Sequence, residues 1–306
     1  MPADAQCGCG RRRRAIVQDY RDLDHFRSAP PDLSRGGPVA VCLAEDAVEL
    51  HTTLAHMVRL GFSSIVLMAP DHVHPAAPPP DGVLRVGWRP GGREATVAAV
   101  NAVIDAAPGQ WIHYAYNAEY LFYPFCETRS VAELLAFHAE ERRDAMLTYV
   151  VDLYAADLVA NPDGVSHEDA HLDQSGYYAT ARADPANHNH PKERQLNFFG
   201  GLRWRLEEHV PEDSRRIDRI GIFRAKPGLR LRPDHTLTDE EMNTYACPWH
   251  NNLTAAICSF RAAKALRTNP GSRWAVSHFT WHNSVRFDWE SQQLLDLGLI
   301  EPGQWF

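Results

Sequence analysis

The chain of 306 residues lacks several features that would assign it to a class at once. No uncharged apolar run approaches the roughly 20 residues that a membrane span needs. Four consecutive arginines lie near the N-terminus without an apolar stretch behind them, which predicts neither a signal peptide nor an anchor. Basic residues are not in excess, since 31 Lys and Arg compare with 39 Asp and Glu for a net charge of -8. We therefore do not expect a nucleic acid as partner.

Cysteine is also scarce. The six cysteines lie at positions 7, 9, 42, 126, 247 and 258. Four of them stand singly inside apolar stretches, which excludes a disulfide scaffold. Cys7 and Cys9 resemble half of a metal site, but no second pair follows at ligand spacing, so a loose tail is the simpler interpretation. This cysteine usage favours a reducing compartment, and we expect a cytoplasmic protein.

The fingerprints of dinucleotide and P-loop binding are absent, but a regular alternation of apolar segments is present. The predicted strands cover residues 39–43, 65–69, 83–86, 111–115, 146–154 and 219–225. The predicted helices cover residues 47–60, 93–107, 131–142 and 253–266. Strands that alternate with helices in this way predict an α/β fold with a mainly parallel central sheet flanked by helices.

The composition divides the chain into an arm and one domain. Residues 1–35 combine Cys-Gly pairs, arginines and prolines without periodicity, which predicts a flexible N-terminal arm. Residues 36–306 are predicted to form a single domain. Within it, residues 155–200 are rich in His, Asp, Asn, Gly and Pro, and are expected to be a loop-rich insertion that shapes a binding site.

Ligands of open α/β sheets bind at the carboxyl ends of the strands. Glu45 follows the first predicted strand, Asp71 follows the second, and residues 116–119 follow the strand that ends near Ala115. These positions are the first candidates for a ligand site.

Two groups of basic residues are candidates for binding an anion. Arg203 and Arg205 follow Gly200-Gly201, an arrangement suited to clamping a diphosphate or a carboxylate, although a strand start with solvated arginines fits the pattern equally well. Arg261 and Lys264 lie three apart on a predicted helix and would share one face. That face could neutralise a nucleotide, or it could simply be solvated.

Histidines suggest two further sites. Residues 167–171 match HExxH, which on a helix would bind zinc between His167 and His171 with Glu168 as the base. The surrounding turn residues argue against the long helix that this site needs. His250 and His282 each stand in a Trp-His-Asn triplet that could line a sugar or phosphate pocket, and core packing of the tryptophans is the alternative.

The segment 111–124, WIHYAYNAEYLFYP, resembles a segment of family-2-type glycosyltransferases. In that family it reads Trp, four apolar residues, Asp-x-Asp-Glu-Phe-Leu, an apolar pair and Pro. The runs VAVCLAED and HMVRLGFSSIVLMAP, the strand around residues 149–154 and the block GGLRWR are also similar to this group. The resemblance covers roughly residues 38–285.

The resemblance implies a GT-A-like domain. A nucleotide-sugar donor would bind over residues 36–125, with Mg²⁺ or Mn²⁺ bridging its diphosphate, and a carbohydrate or other hydroxyl acceptor would bind over residues 126–306. The two metal-binding aspartates of the family fall on Tyr116 and Ala118 here, and only Glu119 survives. A frame shifted by one residue offers Asn117 and Glu119 as substitutes. Tyr116, Asn117 and Glu119 thus become donor-site candidates, with Glu119 the one candidate metal ligand.

Three interpretations remain at this stage. The first is a transferase that works without the usual metal, in which arginines, Lys264 or an imidazole offset the diphosphate charge. The second is a degenerate, non-catalytic homologue that binds a sugar nucleotide or a partner. The third is the HExxH zinc hydrolase. For the transferase, Glu208 and Asp152 are the predicted catalytic bases, with Glu207 and Asp173 as alternatives.

Overall fold

The structure, a computed structural model, describes residues 19–33, 36–80, 82–246 and 251–305. Its strands are β1 Asp19–Tyr20, β2 Val39–Leu43, β3 Ser64–Ala69, β4 Val83–Gly87, β5 Trp111–Tyr116, β6 Glu119–Phe122, β7 Ala145–Asp152, β8 Tyr154–Ala155, β9 Ala170–Asp173, β10 Tyr178–Asp184, β11 His190–Phe199, β12 Asp218–Arg224, β13 Ala255–Ser259 and β14 Ser284–Arg286. Its helices are α1 Leu23–Ser28, α2 Leu50–Arg59, α3 Arg93–Ala106, α4 Val131–Glu140, α5 Gly201–Arg205, α6 Arg261–Thr268 and α7 Ser291–Asp296.

Over these residues the central sheet has nine strands in the order β1-β4-β3-β2-β5-β12-β7-β13-β6. The neighbours from β1 to β5 are parallel, and so are β7 and β13. Strand β12 lies antiparallel between β5 and β7, and β6 is antiparallel to β13 at the sheet edge. The predicted α/β architecture with a mainly parallel central sheet is therefore confirmed.

Continuous apolar runs bury the central strands on both faces of the sheet, which is why helices cover both sides. All five residues of β2 are buried. Ala40 and Cys42 belong to a core cluster that includes buried residues of α2 and α4, whereas Val39, Val41 and Leu43 belong to a second cluster with α1 and α3. Apolar burial of this kind, at about 25 cal/mol per Å², is the main force that fixes the sheet.

Three segments differ from the sequence-based prediction. Residues 19–33 fell within the predicted flexible arm, but they add β1 to the sheet beside β4 and form α1. The predicted loop-rich insertion 155–200 contains the antiparallel hairpin of β10 and β11. The predicted helix 253–266 is strand β13 followed by helix α6, because a short buried run of alanine, isoleucine and cysteine fits either structure.

The sheet topology brings the ends of distant strands together. Because β12 runs antiparallel between β5 and β7, the strands β2, β5, β7 and β13 all point the same way and end at one edge, where β12 begins. Helix α6 starts two residues after β13 at this edge. Among the described residues, no helix combines the length and apolar character that crossing a bilayer requires. The edge where these strands end is the place to look for a ligand site.

Candidate functional site

Strand β5 ends in a tight turn formed by residues 116–119. Ala118 has a left-handed conformation with φ of 61°, and β6 begins at the next residue. The backbone N–H of Tyr116 donates to Glu119 Oε2 over 2.9 Å, and the N–H of Ala118 donates to Thr53 Oγ1 of α2 over 2.9 Å. The turn is therefore held from two sides, by its own carboxylate and by a neighbouring helix.

Asn117 ties this turn to the loop that follows β2. Its side-chain amide donates to Asp46 Oδ1 over 2.7 Å and to the Val48 carbonyl over 2.8 Å. Its Oδ1 accepts from the Glu45 backbone N–H over 2.9 Å. Asn117 is fully buried, so we assign it a positioning role for Glu45 and Asp46 in place of the predicted contact with a donor.

Glu119 forms a buried ion pair with Arg219 of β12. The Arg219 nitrogens lie 2.7 Å from Oε2 and 3.2 Å from Oε1, and Ser259 Oγ donates to Oε1 over 3.0 Å. Burial raises the pKa of the Glu119 carboxyl, but the Arg219 guanidinium and the hydrogen bonds outweigh it and hold the pKa at about 2.

This donor set does not fit a divalent metal. Both oxygens of Glu119 already accept from protein donors, and the resemblance offers Tyr116 and Ala118 in place of carboxylates. Across the part of the chain that the structure describes, no three His, Cys, Asp or Glu side chains are grouped so as to hold a metal ion. The predicted role of Glu119 as a ligand of Mg²⁺ or Mn²⁺ is therefore not supported by its surroundings.

Helix α6 presents two cations to the loop after β2. Arg261 donates to the two oxygens of Glu45 over 2.9 and 2.7 Å, and Lys264 Nζ donates to Asp46 Oδ2 over 2.7 Å. The guanidinium carbon of Arg261 also lies 3.9 Å from the centroid of the Tyr116 ring, within the range of a cation–π contact. Glu45, Tyr116, Arg261 and Lys264, all predicted for donor binding, are thus brought together.

Asp152 at the end of β7 is buried against Arg203. The backbone N–H of Arg203 donates to Oδ2 over 3.2 Å, and Arg203 Nε lies 3.2 Å from Oδ1. Burial raises the pKa of the Asp152 carboxyl, and the Arg203 guanidinium only partly opposes that rise. Asp152, a predicted catalytic base, is therefore placed to hold Arg203 in position, and Arg203 lines the cavities described below.

Gly201 allows this close approach, which leads to a first prediction. Its φ is +63°, and an added Cβ would lie 3.0 Å from Asp152 Oδ2. We expect Gly201→Ala to lower the free energy of unfolding by about 2 to 3 kcal/mol in urea denaturation, through backbone strain and this contact together. Gly228→Ala is the control, because its φ is +77° but nothing lies within 4 Å of the added Cβ. Equal losses of unfolding free energy in the two variants would show that the close approach to Asp152 does not contribute to the effect of Gly201→Ala.

Two adjoining cavities of about 670 and 610 Å³ lie along this edge of the sheet. The first contains Glu45 and Lys264, and the second contains Tyr116 and the start of α3 at Arg93. Both are lined by Arg203, Pro211, Ser214 and Arg261. We call the two cavities together the edge cleft. Each has a volume typical of sites for small molecules and cofactors.

Arg205 does not line the edge cleft. It donates to Asp173 over 2.7 and 3.2 Å and to the Phe279 carbonyl over 2.8 Å, and its guanidinium carbon lies 4.8 Å from the Trp281 ring. Asp173, an alternative base, also accepts from Tyr154 Oη over 2.6 Å. The predicted diphosphate clamp of Arg203 and Arg205 is therefore divided, and only Arg203 reaches the cleft.

Four other predicted residues lie away from the cleft or cannot be placed. Asp71 is exposed in the turn after β3. Glu208, the other predicted base, is exposed with its carboxylate 3.8 Å from His209 Nε2. His282 is exposed and packs edge-on against Trp281, with ring centroids 4.6 Å apart. His250, like Cys7 and Cys9, lies outside the described residues.

The HExxH segment is not helical. Residues 167–169 form a bend and turn, and β9 begins at Ala170. The His167 ring stacks on Trp289 with centroids 3.7 Å apart, whereas His171 Nδ1 lies 3.0 Å from the Asp169 carbonyl. The two imidazoles therefore do not share a helical face, and the zinc hydrolase interpretation, which requires both of them on one face of a helix, is not supported.

Several residues that line the second cavity of the edge cleft were not predicted from the sequence. They include Arg93, Asp213, Arg219 and His235. Arg93 had a usable signal, because it follows Gly91-Gly92 at the start of a predicted helix, and helix N-termini favour anions. The others come from residues 213–235, which carry no motif and reach the cleft only through the antiparallel placement of β12.

Comparison with known proteins does not assign the chain to a family. No protein-family model matches the chain, and no curated protein is significantly similar to it. The function must therefore be argued from the edge cleft itself, that is, from its volume, its paired charges and the residues that the sheet brings to it.

Proposed function

We propose that the protein is a glycosyltransferase that moves a sugar from a nucleotide-sugar donor to an acceptor hydroxyl without a divalent metal. The observation that carries the proposal is the guanidinium of Arg261, which lies 3.9 Å from the Tyr116 ring inside the edge cleft. Tyr116 occupies the position at which the resemblance to family-2-type glycosyltransferases implies the first metal-binding aspartate. The Arg261 guanidinium therefore places a fixed positive charge beside the position at which that family binds a metal ion.

The edge cleft has the groups that a diphosphate requires. Arg261 uses Nε and Nη2 to bind Glu45, and a guanidinium has five N–H donors, so others remain for phosphate oxygens. Arg203 lines both cavities beside it. The second cavity is also lined by the N-terminus of α3, where the first N–H groups of the helix and its dipole favour an anion.

In the proposed reaction, the bond between the anomeric carbon and the diphosphate oxygen breaks, and a bond from the acceptor oxygen to that carbon forms. The electron pair leaves with the nucleoside diphosphate, whose charge the Arg261 and Arg203 guanidinium groups stabilise. The acceptor proton passes to a carboxylate of the cleft. Asp213 is our candidate, because Glu208 lies outside the cleft and the Asp152 side chain is fully buried, whereas the Asp213 side chain is 67% exposed even though it pairs with Arg93.

A specific observation also favours the non-catalytic homologue as a second candidate. The cations of the cleft are already matched by carboxylates, with Arg261 on Glu45, Lys264 on Asp46 and Arg219 on Glu119. Such neutralisation weakens the attraction for a diphosphate and lowers the field that would stabilise a leaving group. A protein of this kind would bind a sugar nucleotide or a partner without turning it over.

The proposal predicts metal-independent stabilisation by a donor. We expect at least one member of a panel of UDP-, GDP- and CMP-sugars to raise the thermal unfolding midpoint equally with Mn²⁺ and with EDTA. At a hundredfold excess over Kd the free energy of unfolding should increase by about 2.7 kcal/mol. Release of nucleoside diphosphate in the presence of an acceptor then separates the transferase from the non-catalytic homologue.

Two outcomes would contradict this proposal. Stabilisation only in the presence of Mn²⁺ would show that a metal takes the role assigned to Arg261. The absence of stabilisation by any nucleotide sugar would remove both the transferase and the donor-binding homologue.

A further inference from the structure

Exposed aromatic side chains cluster beside the edge cleft. Tyr178 of β10 is 46% exposed, and Trp204 of α5 is 39% exposed. Phe199, at the end of β11, stacks on Tyr178 with centroids 5.2 Å apart and planes at 20°, and the Trp204 ring meets Tyr178 edge-on at 6.4 Å. We call these three residues the aromatic platform. Single exposed hydrophobic residues need no explanation, but a contiguous group often marks a binding surface.

A cavity of about 510 Å³ opens over the aromatic platform. Its charged lining consists of Arg203, Glu207, Glu212, Asp213, Arg215 and Arg216. Arg203, Asp213 and Arg216 also line the edge cleft, so the two spaces adjoin through shared side chains. A molecule on the platform would lie next to a donor held in the cleft.

The charges around the platform are largely balanced. Arg215 lies 3.2 Å from Glu207, Arg216 lies 2.8 Å from Asp218, and Asp213 lies 2.8 Å from Arg93. A surface of this kind selects neither an anion nor a cation, but its carboxylates and guanidinium groups still accept and donate hydrogen bonds. It therefore suits a neutral ligand with many hydroxyl groups.

Aromatic faces and balanced polar groups together match one ligand chemistry. A pyranose ring has an apolar face of C–H groups, which packs on an aromatic ring, and a rim of hydroxyls, which need hydrogen-bond partners. Among the described residues Glu212 forms no ion pair, so its carboxylate is free to accept from such hydroxyls.

We infer that the aromatic platform binds the acceptor and that the acceptor is a carbohydrate, with a pyranose ring stacked on Trp204 beside Tyr178. The inference rests on the proposed function, because it assigns the hydroxyl substrate of the same transfer. It goes further in naming the substrate class and the surface that holds it. The hairpin of β10 and β11, which the sequence predicted as loop, then supplies two of the three stacking residues.

The test measures saccharide binding by calorimetry without any nucleotide. The probes are maltotriose, cellotriose, triacetylchitotriose and mannotriose. At least one should bind the native protein, and Trp204→Ala should weaken that binding by about tenfold, as the loss of one aromatic contact implies. Trp204→Phe should restore most of the affinity. Trp274→Ala is the matched control, since Trp274 is 79% exposed and lies on none of these cavities, and it should bind as the native protein does.

The inference is overturned if none of the four saccharides binds, or if Trp204→Ala binds as tightly as the native protein. It is also overturned if Trp204→Ala or Tyr178→Ala dissociates a dimer in sedimentation, since a second copy would then cover the platform. Nucleotide-sugar stabilisation is measured separately and should be unchanged in Trp204→Ala. Saccharide binding without nucleotide-sugar binding would reject the proposed function and the acceptor role, whereas the reverse result would reject the platform alone.

Discussion

Replacing Arg261 with alanine is expected to lower the rate of sugar transfer by a factor of about 10² to 10³. Arg261 is the guanidinium closest to Tyr116 in the edge cleft, and it is held there by a bidentate contact with Glu45. A preorganised cation of this kind stabilises the negative charge that develops on the leaving diphosphate. The rate is measured as release of nucleoside diphosphate at saturating donor.

Matched variants separate this effect from a loss of structure. Arg261→Ala leaves the Glu45 carboxylate without its cation, so the double variant Glu45→Gln/Arg261→Ala removes both charges and should be equally slow. Arg261→Lys keeps the charge without the planar pair of donors and should be intermediate. Arg273→Ala removes an exposed cation near the end of α6 and should transfer at the native rate. A native rate in Arg261→Ala would contradict the metal-free mechanism.

Replacing Arg219 with methionine is expected to lower the free energy of unfolding by about 3 to 5 kcal/mol. The variant leaves the Glu119 carboxylate buried without a cation, while the Tyr116 N–H and Ser259 still donate to it. Urea or guanidinium denaturation followed by circular dichroism measures the loss. Arg224→Met on the same strand is the control, because Arg224 is half exposed and its ion pair spans 3.8 Å, so the loss should stay below about 1 kcal/mol.

The same ion pair predicts a dependence on pH. The folded-state pKa of Glu119 is lowered to about 2, so its stabilising contribution is complete above the ordinary carboxyl pKa near 4.5 and is lost as pH falls toward 2. The difference in unfolding free energy between the native protein and Glu119→Gln should therefore shrink below about pH 4.5. The double variant Glu119→Met/Arg219→Met should recover part of the stability, since no buried charge remains. A constant difference down to pH 2 would show that folding does not lower the pKa of Glu119.

The sequence predicted the central parallel strands and the residues at their ends, because both follow from continuous apolar runs and from the order of these runs. The runs at β2, β3 and β5 specify buried parallel strands, and the rule that ligands meet strand ends leads directly to Glu45 and Tyr116. Arg261 and Lys264 were also predicted from the sequence, although their helix is shorter than expected because β13 takes its first half.

The features that the sequence did not predict depend on the direction in which a side chain points and on pairing between residues far apart in the chain. Arg203 and Arg205 lie two residues apart on one short helix, about 200° around its axis, so one reaches the cleft and the other reaches Asp173. Strand β10 is exposed along most of its length, and without a buried face it has no hydrophobic period to reveal it. The partner of Glu119 lies 100 positions away, and no local pattern can name it.

The antiparallel insertion of β12 makes the two halves of the chain interdependent. A fragment that stops at residue 125 would leave residues 111–113 of β5 without their partners on β12, and Glu119 without Arg219. The donor half implied by the resemblance, residues 36–125, therefore does not contain all the strands that pair with its own β5 and β6. The edge cleft is lined by residues from Glu45 to Ser272, so all of its walls are present only once the polypeptide has been synthesised past α6.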